Sequence, residues 1–207
     1  LRYIENALSQ GRKRLEKNSR LYYGMGCLTG LLIVVTLLSN PKMCERRVIN
    51  NFFSALFHDL PEAVTRDIIS PVKQATDDLP NIVKKIENEI VNKELVPLME
   101  DFFVNEIIDF TSDEFSNRIK DSDGKVVNVS WEDLNEKYNE EKYFPIDGRL
   151  VRIADHLSAL MEADISIKHG ITSIHLQNGR DGLLNSYDQN EIINGIDVYS
   201  LFNEIVS

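Results

Sequence analysis

The chain has 207 residues, which is enough for one sizeable hydrophobic core and only marginally enough for two small ones, so we expect a single domain over residues 1–207. Its formal net charge of −10 argues against a dedicated binder of long nucleic acids, because such proteins neutralise phosphates with Lys and Arg. The charge is uneven, +6 over residues 1–47 and −16 over residues 48–207, so the basic N-terminal part could still bind a small anionic ligand.

The two cysteines predict neither a disulfide framework nor a thiolate zinc site. Cys27 and Cys44 are far apart in sequence and lack the short spacing of paired metal ligands. Because such cysteine usage fits a reducing compartment, we expect a cytoplasmic protein.

The first predicted elements are a charged amphipathic segment over residues 1–20 and an apolar helix over residues 27–38. The apolar run has only 12 residues, whereas about 20 are needed to cross roughly 30 Å of hydrocarbon. It passes into Ser39, Asn40 and Pro41, which end a helix, and no small-residue cleavage site follows it. We therefore expect a buried core helix and no membrane contact.

A second helix is predicted over residues 45–58, because its apolar residues recur at spacings of three and four. Pro61 disfavours helical geometry at Leu60 and suits the first turn of a new helix, so His58 and Asp59 should lie at a break between two helices. The apolar side chains expected to be buried are Val48, Ile49, Phe52, Phe53, Ala55 and Leu56.

Beyond this break, residues 65–71 are predicted to form a loop and residues 72–110 one or two acidic helices. Pro80 and Pro97 should mark helix starts or breaks. The apolar residues at helical spacing are Leu79, Ile82, Val83, Ile86, Ile90, Leu95, Leu98 and Phe102.

The C-terminal half divides into three predicted segments. Residues 121–147 are polar and strongly acidic, which predicts an insertion or mobile loop, with room for a short hairpin or helix. The last strong helix is predicted over residues 148–168, so the core should span about residues 1–170. The tail, about residues 170–207, is ambiguous except for a predicted terminal helix over residues 192–206. The stripe of the long helix comprises Leu150, Ile153, Ala154, Leu157, Leu160 and Met161.

The candidate catalytic and metal-binding residues cluster at the break after the second helix. Asp59 directly follows His58, Glu62 lies three residues further on, and Asp67 lies five residues after Glu62. An adjacent imidazole and carboxylate can bind a divalent metal ion, and a nearby carboxylate can transfer a proton, which together suit a metal-dependent hydrolase. Taken alone, a His-Asp dipeptide more often marks a helix end with a hydrogen-bonded side chain, so the hypothesis depends on the neighbouring residues.

Two segments carry a resemblance to a known family. HDLPEAVTRDIISPVK at residues 58–73 and RLVRIADHLSALMEA at residues 149–163 resemble the HD-domain phosphohydrolases, and most of all their 5′-deoxynucleotidase branch. The resemblance implies an all-α fold, a compact HD-domain helical bundle with the acidic segment inserted before the last metal-ligand helix. It also implies hydrolysis of a nucleotide phosphoester with one divalent ion, for which Mn, Co, Fe and Zn are all chemically suited.

Matched residue by residue, the resemblance assigns roles to eight side chains. It implies that His58, Asp59 and Asp155 bind the metal and that Glu62 is the catalytic acid or base. Asp67 is a further catalytic candidate, and with Ile68, Ile69 and Ser70 it would contact the nucleotide. Periodicity alone would make Asp155 a boundary or surface carboxylate, because it lies off the centre of the apolar stripe of its helix.

Two parts of the family pattern are missing. The family's first metal histidine would lie near residues 22–25, yet no histidine precedes His58, and the Arg-Trp pair of the first helix is absent because the only tryptophan is Trp131. The ligand set is reduced, or catalysis has been lost, or a segment is missing from the sequence. We expect a missing segment between Tyr23 and Gly24, because the chain begins at Leu1 and LYYGMGCLTG lacks a polar approach to its helix. A normal peptide bond there would exclude this explanation.

Other side chains have competing interpretations. Asp164 is a rival metal ligand, although a helix-end role fits it better. His156, His169 and His175 are further ligand candidates for which solvent exposure is the simpler expectation. The basic residues Arg12, Arg14 and Arg20 could bind a substrate phosphate or form a solvated face.

The sequence therefore predicts a phosphohydrolase of nucleoside 5′-monophosphates or related small nucleotides. One alternative is hydrolysis of a cyclic nucleotide or guanosine alarmone, and another is a catalytically silent HD scaffold that binds a nucleotide or a protein. The many apolar helix faces also allow a homo-oligomer.

Overall fold

Helices make up most of the part of the chain that the computed structural model describes, which comprises residues 43–61, 79–171 and 173–207. The all-α prediction is therefore confirmed. The described residues fall into two compact units. The first contains residues 57–61 and 79–112, and the second contains residues 43–56 and 113–207 apart from residue 172. The single-domain assignment stays a prediction.

The first unit contains two α-helices joined by a π-helical turn and a 3-10 turn. Helix α1 spans Glu45–Phe57, and only its last residue belongs to this unit. Helix α2 spans Leu79–Ile90. A π-turn at Val91–Leu95 and a 3-10 turn at Val96–Leu98 lead to helix α3, Asp101–Thr111. The predicted breaks are confirmed, since α2 has Pro80 in its first turn and Pro97 lies in the 3-10 turn, where its missing N–H and fixed φ are tolerated.

Burial in the first unit differs from the predicted apolar stripe. Val83, Val91, Ile107 and Phe110 are buried. By contrast, roughly half or more of the residue surface is exposed at Ile82, Ile86, Leu98 and Phe102. Helical spacing shows which residues share a face but not whether that face is covered.

The second unit contains most of α1, whose buried face is polar. Arg47, Asn50, Asn51 and Ser54 are buried beside Ala55. The predicted burial of this helix was wrong at three positions, because Val48, Ile49 and Phe52 are 45%, 38% and 40% exposed. The polar face can be buried because hydrogen bonds from the segment before the long helix satisfy much of it.

That segment forms a small antiparallel sheet and a short helix. Strands β1 (Asn117–Lys120), β2 (Val126–Asn128) and β3 (Ile146–Asp147) lie in the order β2-β1-β3. Ile119 is opposite Val127 and Asn117 opposite Asp147. Helix α4 (Trp131–Glu136) begins at Ser130, whose Oγ accepts a hydrogen bond from the Asp133 amide at 3.1 Å. Residues 121–147, predicted as an insertion or mobile loop with room for a short hairpin or helix, contain the short helix α4 and strands β2 and β3, while the other strand of the hairpin, β1, lies just before this range.

The core of the second unit is built around helix α5, Gly148–Lys168. Its bounds match the prediction, and the expected stripe is buried apart from Met161, which is partly buried against the core. A 3-10 turn at Glu141–Tyr143 precedes β3 and α5. No helix in the described ranges combines the length and apolar character needed to cross a bilayer.

The C-terminal elements complete this core. Helix α6 (Ile174–Leu184), which the sequence analysis did not predict, is followed by a hairpin of β4 (Ile192–Ile193) and β5 (Ile196–Asp197) and by helix α7, Val198–Val206. The predicted terminal helix thus begins six residues later than expected. Asn194 and Gly195 take positive φ angles of 47° and 81°, which favours a tight hairpin turn over a helix.

Candidate metal centre

His58 and Asp59 lie in a turn directly after helix α1. The helix ends at Phe57, and the Leu60 amide donates to the Phe57 carbonyl at 2.9 Å, which closes the turn just before Pro61. Pro61 explains the end of the helix because it disfavours helical geometry in the residue before it. The predicted end of the helix at the His-Asp pair is confirmed, one residue earlier than expected, whereas the helix predicted to follow Pro61 lies outside the described residues.

The two side chains of this pair face each other. His58 Nε2 lies 3.2 Å from Asp59 Oδ2, and the side chains are 2% and 38% exposed, respectively. Metal–ligand bonds of about 2.0–2.2 Å to a common ion would place neighbouring nitrogen and oxygen donors roughly 3 Å apart. The spacing and donor types therefore fit two ligands of one divalent ion. They also fit a simple ion pair when the imidazole is protonated.

A complete ligand set is not gathered among residues 43–61, 79–171 and 173–207, where no three His, Cys, Asp or Glu side chains are arranged to hold a metal. The candidate residues Glu62, Asp67, Ile68, Ile69 and Ser70 lie outside the described residues, so their roles stay predictions. The same is true of the Tyr23–Gly24 junction.

Asp155 lies on α5 in the second unit and is half-buried. Burial is the largest cause of the pKa shifts of His156 and Tyr187, and the negative charge of Asp155 makes a smaller contribution that raises the pKa of each. The Arg152 guanidinium acts on both in the opposite direction. The role of Asp155 as a metal ligand stays a prediction.

The contact between His156 and Tyr187 was missed by the sequence analysis, which expected His156 to be exposed. The Tyr187 hydroxyl lies 2.8 Å from His156 Nδ1, and both side chains are half-buried. Burial, with a smaller contribution from Arg152, lowers the pKa of His156 below its ordinary value. Burial raises the pKa of Tyr187 to about 12. Because the two residues are 31 positions apart, helical periodicity contained no signal for this contact.

The rival carboxylate Asp164 pairs with two cations. Lys168 Nζ lies 2.9 Å from its Oδ2, and Arg180 Nε donates to its Oδ1 at 2.8 Å. The hydrogen bond from Lys168, then that from Arg180, lowers the pKa of Asp164. The pair with Arg180 joins α5 to α6, whereas Lys168 lies on α5 itself, and both pairs support the structural interpretation of Asp164. His169 and His175 are exposed, as expected.

A buried polar network, also missed from the sequence, fixes α1 to the start of α5. Arg47 donates from Nε and Nη2 to Asp147 at 2.7 and 2.6 Å, and neither residue is exposed. Asn51 donates to Asp147 Oδ2 at 2.7 Å and accepts from the Asp147 amide at 2.8 Å. The network thereby orients the helix that precedes His58 relative to the helix that carries Asp155.

Comparison with known proteins gives one match. A family model described as an HD domain matches residues 23–183, a range that includes the His58–Asp59 turn and Asp155. No curated protein and no solved structure gives a significant match. The match covers well over half of the chain, which is enough to establish family membership. The chain belongs to the HD-domain family.

Proposed function

We propose that this protein is a metal-dependent phosphohydrolase of nucleoside 5′-monophosphates or related small nucleotides. The HD-domain family supports metal-dependent phosphoester hydrolysis in general. The observation that carries the proposal for this chain is the His58–Asp59 contact, which brings a nitrogen donor and an oxygen donor within 3.2 Å on one turn. The narrower substrate class is supported by the resemblance of residues 58–73 to the 5′-deoxynucleotidase branch.

In this proposal His58, Asp59 and Asp155 hold one divalent ion, with Mn, Co, Fe and Zn all suited to these donors. Such an ion, when bound, lowers the pKa of its water and neutralises charge that develops on phosphorus. The imidazole of His58 is almost fully buried, whereas the carboxylate of Asp59 is partly open to solvent. Asp59 is therefore the member of the pair that water and substrate can approach.

The remaining roles in the proposal belong to residues near the turn. Glu62, three residues after Asp59, would take the proton from the attacking water, since a carboxylate within hydrogen-bond reach can relay it. Asp67, a second catalytic candidate, would contact the nucleotide together with Ile68, Ile69 and Ser70. The absence of the family's Arg-Trp pair leaves the sugar preference as the first property to measure.

A phosphate-release assay over a panel of nucleoside 5′-monophosphates, with and without Mn²⁺ or Co²⁺, tests the proposal. We expect metal-stimulated release that falls to the metal-free level in Glu62→Ala and Asp155→Asn. Glu162→Gln is the matched control, because Glu162 is an exposed carboxylate on the same helix as Asp155 and should keep full activity. If wild-type release does not exceed that of Glu62→Ala, the proposal is wrong.

A second candidate function is a catalytically silent HD module that binds a nucleotide or a protein. The observation that favours it is the absence of any histidine before His58 in the sequence. Metal analysis of the purified protein separates the two functions, because the silent module would bind nucleotide while free of metal. Analysis of reaction products separates monophosphate hydrolysis from cleavage of cyclic nucleotides or guanosine alarmones.

A further inference from the structure

Two Asn-Gly pairs occur in the sequence, Asn178–Gly179 and Asn194–Gly195, and both lie among the described residues. Asparagine is thermolabile, above all before glycine, because no side chain obstructs attack by the following main-chain nitrogen. That nitrogen bonds to the side-chain Cγ, the Cγ–Nδ2 bond breaks, and the proton of the nitrogen leaves with ammonia. Water then opens the resulting succinimide ring at either carbonyl, which gives aspartate or isoaspartate. The net reaction is hydrolysis of the side-chain amide.

The two pairs lie in different backbone settings. Asn178 and Gly179 lie within helix α6, where the Gly179 nitrogen donates in the helical hydrogen-bond ladder and is not free to attack. Asn194 and Gly195 form the two-residue turn between β4 and β5, with φ angles of 47° and 81°. Hairpin turns of this kind favour Asn-Gly, and they do not engage the glycine nitrogen in a helical ladder. Protection of Asn194 therefore depends on its side chain.

The Asn194 side chain is held by Asn117 of β1. Asn117 Nδ2 donates to Asn194 Oδ1 at 2.9 Å, and Asn194 Nδ2 donates to Asn117 Oδ1 at 3.0 Å. Both residues are buried, although Asn194 lies at a hairpin turn. The Arg149 amide also donates to Asn117 Oδ1, at 3.2 Å, which fixes Asn117 to the start of α5. The Asn194 amide thus uses both of its polar atoms, and it cannot turn towards Gly195 while this amide pair is closed.

Replacement of the Asn194 amide by a carboxylate would break the amide pair. A carboxylate only accepts hydrogen bonds at neutral pH, so Asn117 Oδ1 would lose a donor and face a buried negative charge. The turn leads through β5 directly into α7, whose Val198 and Phe202 have no exposed surface and pack in the same hydrophobic cluster as α5. Loss of the amide pair therefore weakens the attachment of the hairpin that precedes α7.

We propose that Asn194 is a deamidation site that Asn117 protects, and that deamidation, once it occurs, holds the β4–β5 hairpin open. While the amide pair is closed, the reaction is slow. When the hairpin opens locally, the Gly195 nitrogen attacks Cγ, and the aspartate or isoaspartate product prevents the amide pair from closing again. This modification site is independent of the proposed hydrolase activity.

Peptide mapping by mass spectrometry, on the full chain incubated at mildly alkaline pH, measures both Asn-Gly pairs in one sample. Each rate is divided by the rate at the same pair in the urea-denatured chain, which removes differences in intrinsic reactivity. In Asn117→Ala we expect deamidation of Asn194 to accelerate about 5- to 100-fold, because two hydrogen bonds are lost. The rate at Asn178 should stay that of the wild type, and it is the internal control because global unfolding would accelerate both sites.

Asn128→Ala is the matched control variant. Asn128 lies on the neighbouring strand β2, is exposed, and donates to Asp113 Oδ2 at 3.3 Å. Its loss should leave the deamidation rates of Asn178 and Asn194 unchanged.

Two variants at the turn test what deamidation does to the hairpin. Asn194→Asp introduces the aspartate product directly, whereas Asn194→Gly removes the side chain, suits the positive φ angle and adds no charge. We expect Asn194→Asp to have the lower melting temperature and the faster backbone hydrogen exchange over residues 192–206, because a buried carboxylate costs more than a missing amide.

Each outcome supports or overturns a stated part of the proposal. Equal Asn194 rates in the wild type and Asn117→Ala overturn the protection by Asn117. Equal acceleration at Asn178 and Asn194 in Asn117→Ala also overturns it, since the opening is then global. If residues 192–206 exchange no faster in Asn194→Asp than in Asn194→Gly, the carboxylate does not hold the hairpin open, and that part of the proposal is wrong.

Discussion

Helix α1, all but its last residue, lies in the same unit as α5, yet the two helices bury opposite kinds of surface. On α5 the buried face is apolar, with Leu150, Leu157 and Leu160 fully covered. On α1 the buried face is polar, and the apolar Phe52 is 40% exposed. Both helices are amphipathic, so hydropathy alone does not decide which face of a helix is buried; the hydrogen-bond partners available to its side chains also matter.

The largest expected effect concerns the polar face of α1. Asp147→Ala would leave the Arg47 guanidinium buried without its carboxylate, and breaking a buried pair in this way costs about 3–5 kcal/mol of unfolding free energy. Urea denaturation measures the loss. The exposed pair Lys137–Asp133 provides the control, because removing it with Asp133→Ala should change stability little.

A double variant sharpens this test. Arg47→Met combined with Asp147→Leu removes both charges together, so it should be less destabilised than Asp147→Ala alone. If Asp147→Ala is no less stable than the exposed-pair control, the polar network does not hold α1 and the contrast with α5 fails.

The next effect compares the apolar residues of the two helices directly. Leu157→Ala on α5 leaves a cavity in the core and should cost roughly 3 kcal/mol. Phe52→Ala on α1 should cost less than about 1 kcal/mol, since much of its surface is already exposed. Chemical denaturation of both variants measures the difference, and a larger loss for Phe52→Ala would show that the exposed face of α1 is covered in solution.

The same contrast explains how much of the fold the sequence predicts. Both helices and their bounds follow from apolar spacing, and α5 is correct to the residue at both ends. The buried face of α1 could not be predicted, because Arg47 becomes compatible with the interior only through Asp147, 100 residues away. The same is true of His156, which is half-buried through a partner 31 residues away.

For the candidate site, local sequence was sufficient for only part of the prediction. The His58–Asp59 turn follows from Pro61 and the end of α1, and its donor spacing fits a metal pair. Asp155 could be singled out only by its match to the family segment, since its position on α5 is that of a boundary residue. No local sequence pattern indicated the contact of Tyr187 with His156, because Tyr187 follows a helix that was itself not predicted.

Alanine substitutions at two glycines should change the stability of the protein by smaller amounts, in opposite directions. A Cβ at Gly148, the first residue of α5, would overlap the backbone of Ser116 and Phe115, so Gly148→Ala should destabilise by about 1–3 kcal/mol. Gly179 lies inside α6 with open space around it, so Gly179→Ala should stabilise by about 0.5–1 kcal/mol. Thermal unfolding of both variants checks the signs, and stabilisation by Gly148→Ala would contradict the close packing of α5 against this backbone.

The smallest expected change in stability concerns the ion pairs at the C-terminal end of α5, where polar residues outside the hydrophobic core contribute to stability. Lys168 and Arg180 lower the pKa of Asp164 below its ordinary value of 3.8. The folded state therefore favours the ionised carboxylate, so this stabilisation is complete above that value and is lost as pH falls through the folded pKa. Melting temperatures measured against pH should show wild type above Asp164→Asn near neutrality, with the two converging in acid. A constant gap across the acidic range would contradict the ion-pair role, whereas Asp181→Asn, which changes a largely exposed carboxylate beside Arg180, should leave the pH dependence intact. If Asp164→Asn converges with the wild type in acid and Asp181→Asn does not, the C-terminal end of α5 also depends on polar partners.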